Sequence, residues 1–136
     1  MLKPHVEKLA KAEKYAREAL TEIPNAQKPQ AQIKDADWDT YKKNAEARAH
    51  IDLGLIAMAQ KKTAQQVEEF KTAVEMMNPP DQVAMARLAN AYNDLGKPDE
   101  ALGVITKLLA MNDLIPQVKN FALQEKARAD KAKGGK

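Results

Sequence analysis

Two histidines, a scatter of carboxylates and no cysteine make up the conventional catalytic and metal-binding chemistry of this chain. His5 and His50 are far apart and fall on different predicted helices, with no metal-ligand spacing around either. Glu68 and Glu69 are consecutive, so on a helix they point in different directions and make a poor acid–base pair. No Gly-rich phosphate loop follows a strand, because no strand is predicted. The missing thiol removes disulfides, thiolate metal sites and a Cys nucleophile. Nothing assembles a nucleophile, a base and an electrophile. No catalytic residue, metal ligand or cofactor is assigned, and the chain reads as a non-enzyme.

What remains is the chemistry of contact. Trp38, the single tryptophan, can either anchor a partner through its large area and one N–H donor, or pack the neighbouring Pro-containing loop onto a helix. Tyr41 and Tyr92 read as inter-helix packing residues with hydroxyls near the surface. Met58, Met76, Met77, Met85 and Met111 read as adaptable core fillers rather than a capture groove. His50 is expected to be packed or half-buried. The basic residues Lys119, Lys126, Arg128, Lys131, Lys133 and Lys136 are diluted by Glu125 and Asp130 and do not form a nucleic-acid or membrane helix.

The composition agrees. A chain of 136 residues with 44% hydrophobic but only 4% aromatic residues suits one domain, with a core of Ala, Leu, Ile, Val and Met. The net charge of +3 is mild and interleaved. No apolar run is long enough to span a membrane, and the first residues, MLKPHVEKLAKAEKY, lack the apolar segment of a signal peptide. The compartment stays open between cytoplasm and, with a leader removed, periplasm.

Helical periodicity runs from Val6 to Glu22, with Leu9, Ala12, Ala16, Ala19 and Leu20 in a stripe that Pro24 ends. Residues 23–36 form the one long loop, either ordered by packing across the helices or mobile. The next helix starts among Asp35, Asp37 and Asp39, any of which can cap it, and runs to about Gln60 with Lys61 and Lys62 in its last turn. Thr63 is the expected cap of its partner, with Gln66 completing a capping box. That helix carries Val67, Phe70, Ala73, Val74 and Met77 and stops before Pro79. A further pair spans Asp81–Leu95 and Pro98 to about Asn112, broken at Gly96. Pro116 opens a last helix with Val118, Phe121, Ala122, Glu125 and Ala129 at helical spacing, and the tail AKGGK is expected to fray.

Residues 85–112, MARLANAYNDLGKPDEALGVITKLLAMN, resemble the tetratricopeptide (TPR) repeat of bacterial type. That unit asks in order for a large residue, Leu, Gly or Ala, Tyr, Gly, Ala, a large residue, Ala and Pro. Starting it at Gln82 places Met85, Leu88, Ala89, Tyr92, Gly96, Ala101, Ile105, Leu108 and Asp113 there; only the last departs in kind. Starting it at Ala47 places His50, Leu53, Gly54, Ala57, Lys61, Gln66, Phe70, Ala73 and Asn78, a weaker copy at the turn and at Gln66. Ala12, Ala16, Ala19 and Pro24 match the second half of another unit. The missing first half points either to a piece of a longer protein or to an atypical cap.

The resemblance implies an all-α fold, an antiparallel helix-pair solenoid coiled into a right-handed superhelix. Its divisions over residues 1–136 are a partial repeat at 5–23, a loop at 24–36, repeats at 37–79 and 81–113, and a capping helix at 114–132. It further implies a scaffold that binds a partner protein or peptide on a concave face supplied by the first helix of each pair. The family's contact places fall on Arg48, Ile51, Leu55, Met58 and Ala59, and on Val83, Ala86, Asn90, Asn93 and Asp94. Arg48 suits a ligand carboxylate, and Asn90 and Asn93 a peptide backbone. Each also suits a plain solvated helix face, and Ile51 to Ala59 can instead pack internally against the first helix or the loop. The carboxylate clamp of the family's chaperone-binding members is not reproduced, because Ile51, Leu55 and Ala86 stand at its key places. The rival reading is a structural domain, a homo-oligomer stacked through its terminal helices, where a half repeat leaves an open edge.

Overall fold

The computed structural model describes residues 4–134, and all their regular structure is helical. Six α-helices follow one another: α1 (Pro4–Glu22), α2 (Asp35–Ala59), α3 (Thr63–Met76), α4 (Gln82–Asp94), α5 (Pro98–Leu109) and α6 (Pro116–Gly134). A single 3₁₀ turn, Ile23–Asn25, follows α1. Each helix packs on the next in sequence, and α6 also reaches back to α4. This neighbour-on-neighbour plan is that of a helical solenoid or bundle. Its helix pairs are closed by short turns, which force the partners antiparallel.

The two tight turns share one mechanism. After α2, Lys61 takes a left-handed φ of 59°, and the N–H groups of Lys61 and Lys62 donate to the carbonyls of Met58 and Ala57 at 3.1 and 2.8 Å. After α4, Gly96 takes φ 71°, and Gly96 and Lys97 donate to Asn93 and Tyr92 at 3.0 and 2.9 Å. Both satisfy the last carbonyls of a helix through a left-handed residue just beyond it. Lys61 and Lys62 therefore lie past α2 rather than in its last turn. The turn closes so quickly that Thr63 becomes the first residue of α3, the place Pro98 holds in α5. Thr63 makes no capping bond, and the expected capping box with Gln66 is absent. Gln66 is instead buried.

The aspartates before Trp38 also fail to cap: Lys34 precedes α2, while Asp35 and Asp37 sit in its first turn, where their charge favours the helix dipole. Asp35 pairs with Lys28, which holds its carboxyl below the ordinary value. Asp81 does cap α4, accepting from the Ala84 N–H at 2.8 Å. The loop is held in place by α2. Trp38 Nε1 donates to the Ala26 carbonyl at 3.3 Å, and Lys42 Nζ donates to that of Pro24 at 3.4 Å. Tyr41 is not an inter-helix residue: it stacks at 5.3 Å on Trp38, one turn earlier in α2, and stays exposed.

The core lies in α2–α6. Phe70, Ala84 and Leu88 form one cluster, and Ile51, Leu55 and Val67 pack on it. Met85, Ala86, Leu108, Val118 and Ala122 form a second, and Ala89, Ala101, Ile105 and Ala129 a third, with Tyr92 against it. Met85 and Met111 serve as core fillers, but Met58 is 38% exposed on the rim of α2. The helix α6 continues to Gly134, so the tail is helical there, and its expected fraying at Gly135 and Lys136 falls outside the described residues.

Candidate partner-binding surface

The residues suited to partner contact lie along α2 and α4, and the structure uses them unequally. On α2, Arg48 and Met58 are exposed, whereas Ile51 and Leu55 are half-buried against the Phe70–Ala84–Leu88 cluster. Part of that face is thus filled from within, by the seam between α2 and α4 rather than by α1 or the loop. Arg87 Nη1 approaches Met58 Sδ at 3.3 Å across the same seam. Replacing Ile51 and Leu55 together would consequently disturb the core as well as any contact.

On α4, Asn93 and Asp94 are already engaged. Asn93 Nδ2 donates to the Glu125 carbonyl at 3.0 Å and to its carboxylate at 3.1 Å. Asp94 accepts from Arg128 Nη2 at 2.6 Å, and Arg128 Nη1 reaches Glu125 at 3.3 Å. Glu125 is buried, so this network keeps a desolvated carboxylate fully partnered. The same contacts, led by the hydrogen bond to Asp94, raise the Arg128 guanidinium above its ordinary value. Asn90 is half-buried between these two regions, Val83 is 44% exposed and Ala86 is buried. Asn93 and Asp94 therefore act as anchors of α6. Periodicity places Glu125 on the buried stripe of α6, which is the one sequence signal for that role.

The open part of the surface is a groove of about 490 Å³ between α1 and α2. Ala12, Ala16 and Ala19 line it from α1, and Ala45, Ala49, Leu55 and Ile56 line it from α2. Arg48 and Asp52 stand one helical turn apart on the α2 rim, facing Tyr15 of α1, which is 62% exposed. Among the described residues neither Arg48 nor Asp52 has an ion-pair partner within 4.0 Å. Burial pushes the Asp52 carboxyl above its ordinary value, and the charge of Arg48 partly offsets that. Of the expected contact residues, this groove gathers Arg48 and Leu55. Asp52, Tyr15 and Ala45 were not singled out, although Asp52 lies one turn from Arg48 and so on the same face.

A smaller recess of about 170 Å³ lies between α4 and α6, lined by Val83, Ala86, Arg87, Gln117, Val118 and Phe121. His50 is half-buried as expected and pairs through Nδ1 with Glu69 Oε1 at 2.7 Å, tying α2 to α3. Among the described residues no group of three or more His, Cys, Asp or Glu side chains is placed to hold a metal ion, and no helix is long and apolar enough to cross a membrane. No protein-family model, curated protein or solved structure matches the chain.

Proposed function

We propose that this chain is a non-catalytic, TPR-like scaffold that binds a protein partner at the groove between α1 and α2. The observation that carries the reading is the groove itself: an alanine-walled channel, open to solvent, with a cation and an anion, Arg48 and Asp52, on one rim. Apolar walls with a few polar groups at the edge are the usual anatomy of a helix- or peptide-binding surface. The TPR assignment draws support from the two helix pairs. Places thirty-five residues apart do the same work: Leu53 and Leu88 are buried, Lys61 and Gly96 reverse the chain, and Phe70 and Ile105 fill the space between helices.

The test fills the groove. Ala12 is exposed at its wall, so Ala12→Trp occupies the channel without entering the core. Proteins captured by the tagged wild type and by this variant are compared by quantitative mass spectrometry, with circular dichroism to verify helix content. The proposal expects a defined set of captured proteins to disappear with Ala12→Trp. An unchanged set captured by a folded variant overturns it.

A further inference from the structure

The two terminal helices have the same length, 19 residues, and very different surroundings. The helix α6 lies across both α4 and α5 and buries Val118, Ala122, Glu125 and Ala129. Among the described residues the helix α1 packs mainly on α2 and the 3₁₀ turn that follows it, and Ala16 is its single buried residue. None of the three core clusters includes an α1 side chain. At the corner of α3 and α4 a third helix supplies cover: Ile51 and Leu55 of α2 pack against Phe70, Ala84 and Leu88. The corner of α1 and α2 is lined by alanines and left open. With one helical neighbour, α1 buries fewer of its residues than α6 does, which leaves this edge able to accept a further layer.

The charges on the rim indicate what that layer is. Arg48 and Asp52 sit one turn apart on α2, both directed to the groove. A two-fold axis reverses the direction of α2 in a mate, so Arg48 of one copy meets Asp52 of the other, and the second pair forms by symmetry. The surface is thereby complementary to itself in charge. It is complementary in shape as well: alanine walls permit close helix approach, and Tyr15 is an exposed ring beside a channel able to receive one.

Resting on the partner-groove reading above, we propose that a second copy of this chain covers the α1–α2 edge. The two-fold axis passes between Arg48 and Asp52, and Tyr15 of each copy enters the groove of the other. The four helices so assembled form an antiparallel bundle that supplies the layer α1 lacks.

Sedimentation equilibrium on the purified chain, with light scattering as a second measure of mass, tests this directly. The wild type is expected to pass from monomer to dimer with increasing concentration. Arg48→Asp and Asp52→Arg each bring like charges together across the axis, and each is expected to weaken the dimer at least about tenfold. An equimolar mixture of these two variants restores both opposite-charge pairs and is expected to recover dimer at the wild-type concentration. That recovery separates pairing between copies from an ordinary solvated helix pair, which the mixture leaves unaffected. Both substituted positions are exposed, and circular dichroism verifies that the variants fold. A wild type that stays monomeric at high concentration overturns the second copy as occupant. The groove reading then stands or falls separately on the Ala12→Trp capture experiment, including capture of a helix from another protein. A dimer indifferent to both charge reversals, or a mixture that fails to recover, overturns this face as the interface.

Discussion

The N-terminal half of the molecule, α1–α3, and the C-terminal half, α4–α6, share one helix-pair plan and finish it differently. In the C-terminal half every helix has two neighbours, and the terminal helix is fastened at Glu125, whose buried carboxylate accepts from Asn93 and Arg128 and whose backbone carbonyl also accepts from Asn93. Gln82 adds a further fastening there, donating to the Asp113 carbonyl and accepting from the Ile115 N–H, both at 2.8 Å. In the N-terminal half the terminal helix is held by one neighbour and its inner face remains half open. A helix of given length thus joins a core only when it spans two others. Where it spans one, the unsatisfied face is a surface available for association.

The strongest way to break this comparison is to put the same charge into both halves. Leu88→Asp buries a carboxylate among Phe70 and Ala84 and is expected to remove several kcal/mol, a large part of the roughly 5–15 kcal/mol available to a domain. Leu9→Asp, on the half-buried face of α1, is expected to shift the thermal midpoint far less in a monomeric sample. Equal losses in thermal melting would show that α1 is as much a part of the core as α4.

The second contrast concerns close packing. A Cβ on Gly54 would lie 2.6 Å from Phe70 Cε1, whereas the corresponding Ala89 faces the smaller Ile105. Gly54→Ala is expected to destabilise by about 1–3 kcal/mol through overpacking. Combined with Phe70→Ile, which recreates the pairing of the other half, part of that loss should return. Chemical denaturation of the single and double variants measures the coupling, and strictly additive losses would refute the equivalence of the two pairs.

Of similar or smaller size is the fastening of α6. Asn93→Ala removes one donor from buried Glu125 and is expected to cost about 1–3 kcal/mol, with faster amide exchange in α6. Protection in α6 equal to that of the wild type would mean that apolar packing alone holds it. The smallest effect is at the turns. Lys61→Gly is expected to stabilise by about 1 kcal/mol or less, because a left-handed φ strains any residue with a Cβ, and Gly96→Ala to destabilise by about the same amount. A Lys61→Gly protein that melts lower than the wild type would remove the claim that both turns use one geometry.

Much of the helical plan was legible because it follows from local rules. Prolines at 24, 79, 98 and 116 and glycine at 96 punctuate the chain, and apolar residues three and four apart mark the inward faces. The caps were less legible: Thr63 and Asp35 have the right chemistry but fall one place inside their helices, since a left-handed lysine closes the preceding turn and Lys34 extends the chain into α2. The candidate contact surface was legible only in part. Arg48 and Leu55 emerge in the groove, while Asn93 and Asp94, equally polar and equally placed by periodicity, are consumed by Glu125 and Arg128 of another helix.

By itself the order of residues determined six helices, their inward stripes and the reversing turns, because each depends on neighbours within a few positions along the chain. Only the tertiary structure decided which polar side chains remain free. A hydrogen bond between residues thirty-two apart, such as that of Asn93 to Glu125, leaves no trace in local spacing. The openness of the α1–α2 corner has the same origin: whether a stripe of alanines is buried depends on how many helices arrive to cover it.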